Sequence, residues 1–249
     1  LVHRYAAGPR EGLRALAKRQ DPLEYPAVGV YHPRLAGAGV HNGMSADLGQ
    51  LPRVATSGKR GTVGVLVMRS YLLAGNAGHY DGVITALEAR GLRVIPAFAT
   101  GLDSRPAIEQ FFFDSGRSRI DALVSLTGFS LVGGPAYNDS KAAEDMLARL
   151  DVPYLAVTPV EFQTLESWGG SERGLLPVEA TMMIAIPELD GCTGPMVFGG
   201  RSDAAGAACH GCERACTFKQ AEHDHDMHTC SERADVLAAR VGRLVDLRR

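Results

Sequence analysis

The sequence predicts an α/β fold built on a doubly wound parallel sheet, with flanking irregular segments and a terminal helix. Three observations carry that expectation. Short continuous apolar runs such as Val63-Gly64-Val65-Leu66-Val67-Met68 have the pattern of strands buried on both faces. Stretches with apolar residues at helical spacing alternate with those runs. The connections between them are short, as in successive βαβ units. The 249 residues are 45% hydrophobic and 22% charged, with a formal net charge of −2, which leaves ample apolar surface for a packed core. That balance excludes the broad basic footprint of a nucleic-acid-binding chain. No apolar run approaches the roughly 20 residues that span a bilayer, so no integral membrane segment is expected.

Taken in order, Glu11 to Arg19 reads as an amphipathic helix broken by Asp21-Pro22. Residues 1–62 form a connecting, N-terminal segment in which Val28–Tyr31 is one short strand and Ser57–Gly61 an exposed turn. The parallel domain then occupies 63–160. Its first strand, Val63–Met68, is followed by a loop, Arg69 to Gly78, and by Tyr80, Val83, Ile84 and Leu87 at helical spacing. Gly91 stops that helix. Leu92–Phe98 is the second strand, and Ser104 and Pro106 open a helix through Phe111–Phe113, a run that reads as core. Ala122–Leu126 is the third strand. A Gly-rich loop leads to a helix from Asp139 to Leu150, with Ala143, Met146, Leu147 and Leu150 on one face, and Tyr154–Val157 closes the set. Right-handed crossovers place the helices over both sheet faces, giving a flavodoxin- or Rossmann-like domain.

Beyond residue 160 the pattern loosens. In 161–201, Met182–Ile186 and Met196–Phe198 are expected as strands flanking a turn at Pro187–Gly191. Residues 202–230 are a Cys/His-rich insert. A final helix over 231–249 starts near Thr229, whose hydroxyl fits a capping box with Glu232. Its stripe of Ala234, Leu237, Val241 and Leu244 is expected to dock on a core outside this chain. Leu1-Val2-His3 and Leu247-Arg248-Arg249 read as cut ends of a longer polypeptide, with no targeting segment visible.

Ligands of open parallel sheets bind beyond the carboxyl ends of the strands. Three loops lie there: Arg69–Tyr80, Ala99–Ser104 and Gly128–Asn138. The first runs into a helix N-terminus, whose free N–H groups favour anions. It is no G-x-G-x-x-G turn, and G-x-x-x-x-G-K-[ST] is absent, so no nucleotide-hydrolysis site is expected here. His79 at that edge reads equally as core or as site, and Asp81 as a partner of the helix dipole. From spacing alone, Glu179 and Glu188 are solvated carboxylates. Cys209, Cys212 and Cys216 give C-x2-C-x3-C, followed by Cys230, with His223, His225 and His228 between. Thiolates so spaced converge on one centre, a [4Fe–4S] cluster or zinc; the alternative is a polar insert with inert thiols. Five cysteines, four of them clustered, point to an intracellular, cytoplasmic protein over a disulfide-framed secreted one.

Longer motifs carry a resemblance. Gly75-Asn76-Ala77-Gly78-His79-Tyr80-Asp81-Gly82-Val83-Ile84, then Ala86–Phe98, and Pro177-Val178-Glu179-Ala180-Thr181-Met182 through Gly191, are similar to the large porphyrin-binding subunits of magnesium chelatases. The likeness covers about residues 25–201 and the last helix, and extends less closely to cobaltochelatase large subunits; the Gly-His-Tyr-Asp-Gly loop favours magnesium. It implies an N-proximal fragment, inactive alone, of a large subunit that inserts Mg²⁺ into protoporphyrin IX for (bacterio)chlorophyll synthesis. ATP would be hydrolysed on two AAA+-related partner subunits. A cobalt-inserting homologue acting on a corrin precursor, and a non-catalytic tetrapyrrole-binding module, are the alternatives. Mg²⁺ sheds water reluctantly and two pyrrole protons must leave, so the resemblance raises Glu179 to the catalytic carboxylate. It makes Asn76, His79 and Glu188 pocket residues. The Cys/His insert departs from the plant and cyanobacterial pattern.

Overall fold

A computed structural model describes residues 23–52, 60–202 and 226–248. The expected helix at Glu11–Arg19, the break at Asp21-Pro22, most of the Ser57–Gly61 turn, and Cys209, Cys212, Cys216, His223 and His225 lie outside the described residues. In chain order the main elements begin β1 (Gly29–Tyr31), β2 (Met44–Ser45), β3 (Gly61–Leu66), α1 (Arg69–Leu73), α2 (Gly78–Ala89), β4 (Leu92–Phe98), α3 (Arg105–Phe111) and β5 (Ala122–Ser125). They continue with α4 (Ser140–Leu150), β6 (Tyr154–Ala156), β7 (Thr158–Thr164) and α5 (Leu165–Gly169). Next comes α6, helical through Pro177–Ala180, a π turn at Thr181–Ala185 and Ile186–Leu189, then β8 (Val197–Arg201), β9 (Met227–Thr229) and α7 (Ser231–Arg248).

The central sheet has the order β6-β5-β3-β4-β1-β2. Four neighbouring strands, β6, β5, β3 and β4, pair in parallel, at the positions the apolar runs predict. Residues before Val63 do more than connect: β1 and β2 extend the sheet antiparallel beyond β4, so the sheet is mixed. Period-two alternation divides the core. Val63, Val65, Val94 and Val124 face α2 and α7, whereas Leu66, Ile95 and Leu123 face α3 and α4. Each fully buried Val, Leu or Ile contributes about 1.5–3 kcal/mol. Phe111 and Phe112 are buried in the second cluster, as a core reading of the Phe run requires. Asp139 caps α4 by accepting the Ala142 N–H at 2.9 Å.

Expectations at three places are corrected. Terminal helix α7 docks on this sheet rather than on a core outside the chain: Ala234, Leu237, Val241 and Val245 join the cluster of α2, covering Val63 and Val65. Thr229 lies in β9, two residues before the first residue of α7, and its hydroxyl donates to the carbonyls of Gly78 and His79. The loop after β3 includes the short helix α1. Met182–Ile186 is helical, and Glu188 lies in a helix rather than a turn. A five-residue apolar run cannot distinguish strand from helix by period. The buried positions of α6 are Glu179, Met183, Pro187 and then Asp190, a helical stripe whose acids mask its pattern.

A second, three-stranded sheet has the order β7-β8-β9, parallel between β7 and β8 and antiparallel between β8 and β9. Phe198 of β8 enters the core shared by α2 and α7, so the small sheet is fastened against the start of α2.

Candidate functional site

The site is built where that small sheet meets the carboxyl end of β3. The loop after α1 carries Asn76, whose side-chain oxygen accepts the Met227 N–H at 2.7 Å. Thr229 donates to Gly78 O at 3.0 Å and to His79 O at 2.7 Å. A Cβ on Gly82 would collide with the Thr229 side chain, and one on Gly78 would come within 2.9 Å of Met227 O. Asn76 and the two glycines therefore hold β9 flat against the first turn of α2.

His79 is enclosed as a result. It is 0% exposed, and neither ring nitrogen has a hydrogen-bond partner. Its ring centroid lies 3.8 Å from that of Tyr80 and 4.9 Å from Tyr71, which meets it edge-on; Phe198 stacks at 6.0 Å. Burial, with the nearby His228 adding to it, pushes the imidazole down to about 3. It is a neutral ring with unused donor and acceptor capacity.

Tyr71 connects His79 to carboxylates. Burial raises the proton affinity of its hydroxyl, and Glu161 of β7 lies close enough to raise it further. Burial raises the Glu161 carboxyl above its usual range; the charge of Glu179 adds to this, while Tyr71 and Arg201 oppose it. Glu179, in the first turn of α6, is 0% exposed. Its carboxylate accepts from Phe162 N at 3.1 Å, Gln163 Nε2 at 2.6 Å and Leu176 N at 3.0 Å. Those bonds fix its position. Around it Phe162, Leu176 and Val178 are exposed apolar side chains.

Of the residues singled out from sequence, His79 and Glu179 thus fall in one neighbourhood, bridged by Tyr71 and Glu161. Asn76 supports that neighbourhood through β9. Glu188 is exposed on the last segment of α6 and enters none of these contacts. Cys230 is fully buried beside Val160, Leu165, Trp168 and Val197. Among the described residues, no group of three His, Cys, Asp or Glu side chains is arranged to hold a metal. Sequence reasoning missed Tyr71, Glu161 and Arg201. Glu161 had one visible signal, an acid set between Val160 and Phe162 in a strand.

A separate shallow cleft, open to solvent, lies beyond the ends of β3, β4 and β5 and is lined by Met68, Phe98, Asp103, Ser104, Thr127 and Ser130. Asp190, at the end of α6, accepts from Ser130 Oγ at 2.6 Å and Leu131 N at 2.7 Å, tying α6 to this cleft's wall. Chemically, the cluster offers a carboxyl group of raised proton affinity, a fixed second carboxylate and a neutral imidazole. The raised carboxyl is the member suited to accept a proton, and the fixed carboxylate sets a negative charge beside it. No helix among the described residues is long and apolar enough to cross a membrane.

Comparison with known proteins follows the same contours. The profile of the family described as CobN/Magnesium Chelatase matches residues 2–249. The H-type magnesium-chelatase subunit of Cereibacter sphaeroides is 52% identical over 250 residues, covering 100% of this chain and 20% of that protein. Aerobic cobaltochelatase subunit CobN of Pseudomonas aeruginosa is 29% identical over 184 residues, 73% of this chain and 13% of that protein. The catalytic subunit of cobaltochelatase from Mycobacterium tuberculosis shares the fold, with a TM-score of 0.62 at 20% identity, over 96% of this chain and 18% of that one. The chain spans about a fifth of the length of the first of these relatives.

Proposed function

The chain belongs to the CobN/magnesium chelatase family, and from that premise we propose that it is part of the porphyrin-binding subunit of a magnesium chelatase. The proposed reaction is insertion of Mg²⁺, the substrate ion, into protoporphyrin IX in the cytoplasm, driven by ATP hydrolysed on two AAA+-related partners. One observation carries the choice of metal: 52% identity to an H-type magnesium-chelatase subunit across the whole chain, against 29% over 184 residues to CobN.

The site supports this reading through its charges. Insertion releases two pyrrole protons and draws in a cation that gives up water reluctantly. Glu161, with its raised proton affinity, is suited to receive a proton. Glu179, held by three donors, supplies a fixed negative charge beside it that favours both proton and metal. His79, neutral and unpartnered, backs the pocket as an enclosed polar ring, and Glu188 on the exposed face of α6 is a further pocket carboxylate. Cys209, Cys212, Cys216 and Cys230 are proposed to form one metal centre, iron–sulfur or zinc. The 249 residues alone are expected to bind the macrocycle without inserting metal.

The test has two arms. The chain is titrated with protoporphyrin IX, and the longer polypeptide that carries it is reconstituted with the ATPase partners, ATP and Mg²⁺. Porphyrin binding in the first arm and magnesium porphyrin in the second support the reading. Cobalt insertion into a corrin precursor without magnesium insertion, or porphyrin binding with neither, would replace it.

A further inference from the structure

We infer that Arg201 anchors a carboxylate side chain of the tetrapyrrole, an assignment that rests on the proposed porphyrin-binding function and names the residue gripping the rim of the macrocycle. Arg201 ends β8, the central strand of the small sheet, in register with Thr164 of β7 and Met227 of β9. Its side chain is half-buried, and its Nε is buried without a hydrogen-bond partner. Among the described residues no carboxylate forms an ion pair with it.

Glu161 is close enough for the two charges to be felt, yet the two form no ion pair. The guanidinium is therefore held at the site with donors in reserve. Burying an unpaired N–H of a charged group is costly, so a structure that keeps one has a use for it. The planar fork of an arginine matches a carboxylate in two parallel hydrogen bonds.

The proposed substrate presents that group. Protoporphyrin IX is a flat apolar ring with two carboxylate-bearing side chains on one edge. Phe162, next to Glu161 on β7, is 50% exposed and offers an aromatic face for a ring. A carboxylate at Arg201 would set one edge of the macrocycle beside Glu161 and Tyr71, leaving its nitrogens toward the acidic pair.

The experiment compares protoporphyrin IX with its dimethyl ester, in which the ring is kept and the charges are removed. Binding to the 249-residue chain is followed through Trp168, its single tryptophan. The unsubstituted chain should bind the ester at least about tenfold more weakly than the free acid. Arg201→Gln should weaken binding of the free acid by a similar factor and abolish the difference between the two ligands. Arg201→Lys, which keeps the charge and loses the fork, should retain part of that difference. If Arg201→Gln binds both ligands as the unsubstituted chain does, or keeps the acid–ester difference, the assignment is overturned while porphyrin binding stands. The same holds if the unsubstituted chain does not distinguish acid from ester, a result that needs no variant to fold. If the unsubstituted chain binds neither ligand, the porphyrin-binding reading itself falls.

Discussion

Glu179→Gln keeps the size of the side chain and removes its charge, and the structure fixes what that costs. Three donors converge on the carboxylate: Phe162 N on Oε1, and Gln163 Nε2 and Leu176 N on Oε2. A primary amide has one acceptor oxygen and one donor NH2 group. With its oxygen at the Oε2 position, the amide NH2 confronts the Phe162 N–H. With its oxygen at the Oε1 position, the NH2 can donate to a turned-over Gln163 amide, but the Leu176 N–H is abandoned. Either way one backbone donor is left unsatisfied in a buried place, at about 1–3 kcal/mol. The substitution also removes the neighbouring charge that helps raise the proton affinity of Glu161. Urea unfolding of the chain should therefore show a stability loss of that size, with protoporphyrin affinity nearly unchanged. In a longer polypeptide reconstituted with the proposed ATPase partners, the proposed magnesium insertion should fall at least about tenfold, equivalent to about 1.4 kcal/mol of transition-state stabilisation. Unchanged stability would refute the hydrogen-bond accounting. Insertion at the unsubstituted rate by a folded Glu179→Gln polypeptide would refute any part for the charge in chemistry, and joint loss of affinity and insertion would make Glu179 a support of the pocket.

Three further outcomes are expected. His79 titrates at about 3 in the folded chain against about 6.5 when unfolded, so its stabilising contribution is full above the unfolded value and is lost as pH falls from there toward the folded one. Between about pH 7.5 and pH 5 the unsubstituted chain should lose about 2 kcal/mol more than His79→Phe, and equal losses in urea melts would contradict a buried neutral imidazole. Asn76→Ala, which strands the Met227 N–H, and Gly82→Ala, which drives a methyl into Thr229, should each cost about 1–3 kcal/mol and speed hydrogen exchange at Met227; protection at the unsubstituted level would show that β9 is held otherwise. Anaerobic purification should yield one iron–sulfur or zinc centre per chain, lost on Cys209→Ser or Cys212→Ser, and a colourless, metal-free protein would remove that proposal.

The parallel strands were legible because burial on both faces leaves an unmistakable apolar run, as in Val63–Met68, and because local signals mark the helices between them. Gly91, with its positive φ of 79°, and Asp139, bonded to Ala142 N, are local signals that need no tertiary context. Helix α6 was illegible for the opposite reason. Its inward stripe is Glu179, Met183, Pro187 and Asp190, so two of the four buried positions are acids that no hydrophobic period can mark. Glu179 is buried because its partners arrive from β7, 16 and 17 residues away in sequence. The stripe of α7 was visible, but the face it covers belongs to strands more than a hundred residues earlier.

The same distinction explains the site. The stretch from Gly75 to Gly82 reads locally as a loop entering a helix, and its place beyond β3 follows from topology alone. What the loop holds does not, since Met227 and Thr229 lie about 150 residues downstream of Asn76, Gly78 and His79. Without β9 the first turn of α2 would be open, and His79 would be an ordinary solvated imidazole. With β9 in place, the ring is enclosed among Tyr71, Tyr80 and Phe198 and held neutral. Asn76, Gly78 and Gly82 thus have one physical purpose, to admit a strand at close range, and the chemistry of His79 depends on it. A side chain added at Gly82 should consequently act on His79 at a distance, restoring part of its ordinary titration, which NMR of the imidazole would detect; an imidazole still held near 3 in Gly82→Ala would show that the aromatic cage alone encloses it.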